Sequence, residues 1–397
     1  MKNGKPLIVF LFLLGMGGYA YIFLDSEIAE AAQSKKVQQP IIQRDKWSED
    51  TLLSSPDLLY RSKQSVKVKG IYLSGRSAGG EKFNKLLQFV RETELNSMVI
   101  DMKEDEGKVT YRSSIPLVKT LQSDQKRFIS DIDSIIQTMR DHHIYPIARI
   151  VCFKDPLLAT RKMDWAMHKT QGGLWRDAQG VLWIDPYRVE VWDYNVQLAK
   201  EAAMKGFKEI QFDYVRFPTN GQKVDQEVAF YQPDGKKKKQ LIADFLAYAR
   251  KELEPFHVYI SVDVFGLVPS VSDDMGIGQQ WEYLSEQADY ISPMMYPSHY
   301  ANGTYGIKVP DAQPYATIVA GLRDAKRKNN LMRQQKKNTA VIRPWYQDFT
   351  ARWLKNHMTY GSKQVREQIQ AGYAVGVDQY LIWDATNTYS KAAWERK

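Results

Sequence analysis

Residues 189–213 read VEVWDYNVQLAKEAAMKGFKEIQFD, and the pattern is that of a helix, a stop and a strand. Val189 to Ala203 carries helical periodicity, with apolar residues recurring three and four apart. Gly206 stands where a helix closes on a left-handed residue, a conformation glycine adopts without a Cβ penalty. Phe207 to Phe212 is a short apolar run of strand length that ends at Asp213. Repeated, such a step builds a parallel sheet covered by helices.

The step repeats in both directions. Toward the N-terminus, Lys69 to Leu73 is a strand, and Glu81 to Glu94 places Phe83, Leu86, Leu87 and Val90 on one helical face. Ser97 to Asp101 is a second strand, Phe128 to Arg140 a helix, and Ile144 to Phe153 a third strand with Pro146 near its start. Toward the C-terminus, Leu241 to Leu253 is helical, and the strand Val258 to Val262 ends at Asp263. Tyr290 to Met295 is a strand beside Tyr296, and Thr317 to Lys328 is a helix. Ala340 to Pro344 leads to Trp345, Val365 to Ala371 is helical, and Gly376 to Ile382 leads to Trp383 and Asp384. Eight strands with intervening helices over residues 66–397 predict an α/β chain folded as a (β/α)8 TIM barrel with long βα loops. The rival is a doubly wound sheet, but the first turn, residues 74–80, lacks the dinucleotide-binding glycine spacing.

Composition bounds what the chain does. Hydrophobic residues make up 44% and charged residues 25%, a globular balance that excludes a mainly disordered chain. A mean hydropathy of −0.46 excludes a polytopic transporter. Cys152 is the only cysteine, which excludes a disulfide framework or a thiolate metal cluster. The net charge of +9 and the Lys236–Lys239 run suit a solvated surface or anionic polymers, and nothing else points to nucleic acid.

Leu7 to Leu24 is a long uncharged apolar stretch, preceded by Lys2 and Lys5 and followed by Asp25, Glu27 and Glu30. Eighteen residues in a helix span about 27 Å, close to a bilayer core. Residues 1–25 are therefore expected to be a single-pass transmembrane anchor, or a signal segment that is cleaved. The first places the domain on the extracellular face of the cell membrane, and the second makes it secreted. Residues 26–65, rich in Gln, Ser, Lys and Asp, read as a tether.

Several strands stop at a carboxylate or an aromatic residue: Asp101, Asp213, Asp263, Tyr296, Trp345 and the Trp383-Asp384 pair. In a barrel these ends converge on the face where active sites form. For any one Asp the simpler reading is a cap or a turn. Two carboxylates on adjacent strands can act across a sugar ring, one protonating the leaving oxygen and the other attacking or activating water. Asp213 and Asp263 are the catalytic candidates, and Arg216 is a partner for Asp213 or another carboxylate and a residue to bind or orient substrate. Trp345, Trp383 and Tyr296 offer flat rings to sugars, Asp101, Lys103 and Asp384 offer polar contacts, and His299 lies on a nearby loop. No histidine pair has metal-ligand helical spacing, and no Gly-x-Ser-x-Gly elbow occurs.

Six phrases carry a family resemblance: residues 69–73, 100–103, 212–218, 261–266, 291–300 and 344–349. Over residues 66 to 390 the chain resembles a bacterial family of glycosidase-like TIM-barrel domains long labelled as of unknown function. The resemblance implies a barrel glycosidase, anchored or secreted, whose catalytic acids follow strand four and a later strand, which maps onto Asp213 and Asp263. The departure is that the general acid in such enzymes is often Glu. The expected function is a glycoside hydrolase cleaving a cell-envelope or extracellular polysaccharide, with Asp213 as nucleophile or base and Asp263 as general acid. No cofactor or metal is needed for that chemistry. The competing reading is a non-catalytic carbohydrate-binding or envelope-scaffolding protein on the same barrel.

Overall fold

The computed structural model describes residues 66–219, 222–232 and 235–394, with two three-residue strands, Phe10–Phe12 and Tyr19–Tyr21. Eight parallel strands make the domain: β1 (Lys69–Leu73), β2 (Ser97–Lys103), β3 (Tyr145–Val151) and β4 (Glu209–Asp213). They continue as β5 (Tyr259–Phe265), β6 (Tyr290–Met294), β7 (Trp345–Gln347) and β8 (Tyr380–Trp383). Each pairs with the next, and β8 pairs back onto β1. The sheet is closed, which removes the free edges that a doubly wound sheet keeps.

Helices cover the outside: α1 (Lys82–Arg91), α2 (Ile132–Asp141), α3 (Val189–Lys205), α4 (Lys238–Leu253), α5 (Trp281–Ser285), α6 (Pro314–Gln334) and α7 (Ser362–Ala374). A 3-10 turn at Lys391–Ala393 stands where an eighth would lie. The boundaries follow local chemistry. Gly206 closes α3 at φ 112°, its N–H donating to the carbonyls of Ala202 and Ala203. α2 begins later than periodicity suggests because Asp131 caps it, accepting from Ser134 N. Val341–Ile342 also pairs with β6, but Pro344 separates it from β7 and Pro293 sits within β6, so the ladder is interrupted there. Trp345 consequently lies inside a strand and not after one.

Strand alternation divides the core in two. Outward residues such as Ile71, Ile100, Ile150, Phe212 and Val262 pack with the helices. Inward residues including Val68, Val99, Ile147, Trp345 and Leu381 fill the barrel. Near the N-terminal end of the barrel, Arg343 pairs with Glu209, and both side chains are completely buried. The Arg343 guanidinium also lies 4.0 Å from the centre of the Tyr290 ring. The βα loops at the opposite end are long, and two of them join through a strand pair, His168–Lys169 with Val228–Ala229.

The N-terminal expectation is corrected. Phe10–Phe12 and Tyr19–Tyr21, inside the stretch expected to span a membrane as one helix, pair antiparallel with Phe10 opposite Tyr21. Among the described residues no helix is long and apolar enough to cross a membrane. The sequence between the two strands carries Gly15, Gly17 and Gly18, and glycine lowers helix propensity by about 1 kcal/mol per residue. The aromatic residues on either side favour strands. The single-pass anchor, the membrane partner, the place on the extracellular face and the secreted alternative are left without support. The tether expected at 26–65 lies outside the described residues.

Removing Glu209 leaves Arg343 charged and unpaired in the barrel. Glu209→Ala is therefore expected to cost about 3–5 kcal/mol in a urea unfolding titration. A loss below about 1 kcal/mol would show that the pair does not hold this end of the barrel.

Candidate active site

Asp101 and Arg149 stand opposite each other on β2 and β3. Gln211 pairs with Ser261 and Phe212 with Val262, so Asp213 and Asp263 follow side by side on β4 and β5. Side chains alternate along each strand, which turns all four into the barrel at its C-terminal end. Tyr72 and Trp383 join them from β1 and β8.

Arg149 is the centre of this group. Its Nη1 donates to Asp101 Oδ1 at 2.6 Å, while Nε and Nη2 donate to Asp213 Oδ2 at 3.0 and 2.5 Å. Burial works against its charge, but Asp101 and Asp213 outweigh it and hold the guanidinium cationic. Tyr72 donates to the other oxygen of Asp101 at 2.5 Å. Burial nevertheless pushes Asp101 above the ordinary carboxylate range, against the pull of Arg149 and Tyr72. The Tyr72 ring stacks on Trp383 at 4.0 Å, and the Arg149 guanidinium lies 5.2 Å from the Trp383 ring centre.

Asp213 is also held from its own backbone. Tyr214 adopts a left-handed conformation, φ 50°, and its N–H donates to Asp213 Oδ1 at 2.6 Å. A non-glycine residue pays roughly 1–2 kcal/mol for that conformation. Asp263 stands in a different environment. Burial pushes its carboxyl well above the ordinary range, the Asp213 charge adds to the shift, and the Trp345 N–H opposes it. That indole N–H donates to Asp263 Oδ1 at 2.8 Å. The two carboxyls are thus separated by what surrounds them, a cation for one and an indole for the other.

Tyr296 is buried inside the barrel, its phenol pushed up by burial and by the charges of Asp263 and Asp213. From it a series of rings leads outward: Phe349 at 5.6 Å, then Trp353 stacked on Phe349 at 5.9 Å and 40% exposed. His299 touches Tyr296, Phe349 and Trp353 edge-on, between 5.1 and 6.2 Å.

Three expected contacts take other roles. Asp101 pairs with Arg149 but Lys103 pairs with Ile150, so a bulge at Met102 turns Lys103 to the outside of the barrel. There its ammonium is fully buried between Asp155 at 2.7 Å and Asn195 of α3 at 2.8 Å. Asp384 is a turn residue, accepting from Thr386 N at 2.6 Å. Trp345 is only 1% exposed, so it orients Asp263 and offers no face to a ligand. Arg216 does not pair with Asp213; it lies among Trp183, Tyr214 and Phe265.

Sequence reasoning missed Arg149 and Tyr72. Arg149 did carry a signal, being the one charge in the apolar run 144–153, and a buried arginine calls for carboxylates. Tyr72 carried none beyond its place in a strand. Among the described residues no cluster of three or more His, Cys, Asp or Glu is set to hold a metal.

No curated protein matches the chain. A hypothetical protein from Ruminiclostridium thermocellum ATCC 27405 is 38% identical, with 52% of this chain and 98% of that one covered at a TM-score of 0.44. The glycoside hydrolase domain of PgaB (BpsB) from Bordetella bronchiseptica is 10% identical, with 80% of this chain and 94% of that one covered at a TM-score of 0.59. At that identity the likeness is one of fold. Residues 70–389 match the family described as "Putative glycosyl hydrolase domain", and the chain belongs to that family.

Proposed function

We propose that the barrel is a glycoside hydrolase that cleaves O-glycosidic bonds in a polysaccharide with Asp213 and Asp263 as its carboxylate pair. The observation that carries this reading is the contrast between two neighbouring carboxyls, one under the Arg149 guanidinium and one raised by burial. Such contrast is how one site runs acid and base chemistry together.

In this reading the Asp263 carboxyl, kept protonated by its apolar surroundings, gives its proton to the glycosidic oxygen as the bond to the anomeric carbon breaks. Trp345 holds one of its oxygens, which leaves the other for the transfer. Asp213, fixed by Arg149 and by the Tyr214 N–H, attacks the anomeric carbon, and water, giving its proton to the Asp263 carboxylate, then displaces Asp213 from that carbon. Neighbouring strands lie about 4.8 Å apart, and paired positions on them favour a short carboxyl separation. That suits direct attack, which uses about 5–5.5 Å, over water activation, which uses about 6.5–9.5 Å. In the same reading Trp383 and the outer rings, Phe349 and Trp353, stack on sugars, which the partial exposure of Trp353 supports. The glycoside hydrolase domain of PgaB, whose fold the chain shares, lends the reading support from architecture.

The test is to incubate the full chain with bacterial envelope and extracellular polysaccharides and follow released oligosaccharides by mass spectrometry. Asp213→Asn and Asp263→Asn are each expected to lower kcat by roughly 10²–10⁴-fold. Proton NMR of the first product should show the anomeric configuration retained. Saccharide binding with no product from any polymer would instead identify a non-catalytic carbohydrate-binding barrel.

The raised Asp263 carboxyl also makes a prediction about stability. A group with a raised folded pKa binds its proton more tightly in the native state. Its contribution is whole below the unfolded value, about 3.9, and is lost as pH rises through the folded value. Asp263→Asn removes that loss, so its Tm should exceed the wild-type Tm at pH 7, with the difference shrinking as pH falls toward 4. Equal pH dependence in the two proteins, by calorimetry, would mean that Asp263 is ionised in the fold.

A further inference from the structure

One cation at the mouth of the barrel has no directly paired carboxylate among the described residues. Arg149 meets Asp101 and Asp213, and Lys154 meets Asp105 at 3.0 Å. Arg216 is only 4% exposed, yet among the described residues it has no carboxylate partner. Its one hydrogen bond there goes to the carbonyl of Phe217 at 3.0 Å. The guanidinium carbon lies 4.6, 4.8 and 5.1 Å from the ring centres of Phe265, Tyr214 and Trp183. Ring faces attract a cation but accept no in-plane hydrogen bond, so among the described residues the outer N–H groups of the fork have no protein acceptor. Burial lowers the guanidinium pKa from its ordinary value, with Tyr214, Asp213 and Asp177 opposing the shift.

A second group beside it is also unpaired. The Tyr214 hydroxyl is buried and has no hydrogen-bond partner among the described residues. Lys154 Nζ lies 5.0 Å from the centre of the same ring. Tyr214 follows Asp213 directly in the chain, which puts this cluster of donors next to the proposed catalytic carboxylates.

We propose that Arg216 and the Tyr214 hydroxyl, with Lys154 beside them, receive an anionic substituent of the substrate sugar, a carboxylate or a phosphate. The inference rests on the glycosidase reading of this cleft and names the class of glycan it takes. A guanidinium fork pairs with two oxygens of such a group at once, and its confinement among rings lowers the entropy lost on binding. The phenol supplies a further donor, and Lys154, partly balanced by Asp105, adds charge. A neutral sugar hydroxyl would accept a hydrogen bond from the fork but bring no opposite charge into contact with it. The net charge of +9 favours the approach of a polyanionic chain.

The experiment uses the full-length Asp263→Asn protein, so that binding is read without turnover. Titration calorimetry compares trigalacturonate, a phosphate-bearing trisaccharide and neutral cellotriose. One of the two anionic probes is expected to bind at least about tenfold tighter than cellotriose, and which one does so identifies the substituent. Arg216→Gln should bring its affinity down to that of cellotriose. Tyr214→Phe, which keeps the ring and the packing, should weaken the anionic probe several-fold and leave cellotriose unchanged. Equal affinity for all three probes, no binding of either anion, or anion binding indifferent to both substitutions would overturn the inference. An Arg216-dependent preference for the anion without hydrolysis of any polymer would sink the hydrolase reading and leave this one standing. Hydrolysis of neutral glycans alone would do the opposite.

Discussion

Arg149 sets three N–H groups against two carboxylates in the interior of the barrel, where Asp101 and Asp213 are 2% and 5% exposed. Taking an isolated carboxylate out of water costs several kcal/mol, and two side by side would repel as well. One planar guanidinium meets both from opposite edges, which a lysine ammonium, with its single point of charge, would do less well. Tyr72 completes Asp101, and the left-handed Tyr214 completes Asp213. Asp263 has no hydrogen-bonded cation among the described residues, and burial, with the Asp213 charge added, raises its pKa.

The barrel makes this arrangement possible through register. Parallel pairing brings Asp101 beside Arg149 and Asp213 beside Asp263, and alternation sends all four inward. A single bulge at Met102 shows how finely the choice is made. It sends Lys103 to the outside, where Asp155 and Asn195 hold it, while Asp101 two residues earlier remains in the mouth. At the other end of the barrel a second buried pair joins Arg343 to Glu209, and the Arg343 charge still acts on Asp263, opposing its upward shift.

Much of the fold was legible because periodicity is a local property. Apolar spacing and the glycine after α3 located the strands and helices around Asp213, and the strand ends named Asp101, Asp213 and Asp263 as neighbours. Other features were not legible, for identifiable reasons. An Asp after a strand reads alike whether it faces a cleft or caps a turn, so the sequence does not separate Asp384, which Thr386 engages in a turn, from the other strand-end acids. Trp345 reads as a sugar platform, but its neighbours bury it and turn its N–H onto Asp263. The apolar stretch near the N-terminus has the length of a membrane helix, whereas its glycines and aromatics accompany a short antiparallel pair.

The order of βα units, the family and the set of strand-end carboxylates can be read from the chain alone, because each is written in short runs of neighbouring residues. That Arg149, and not Arg216, answers Asp213, and that Arg216 sits among rings with no carboxylate partner among the described residues, follows from the folded arrangement. Those partners lie on different strands, 64 residues apart in the case of Arg149 and Asp213. Which charges meet depends on barrel closure and register, and no local pattern encodes either.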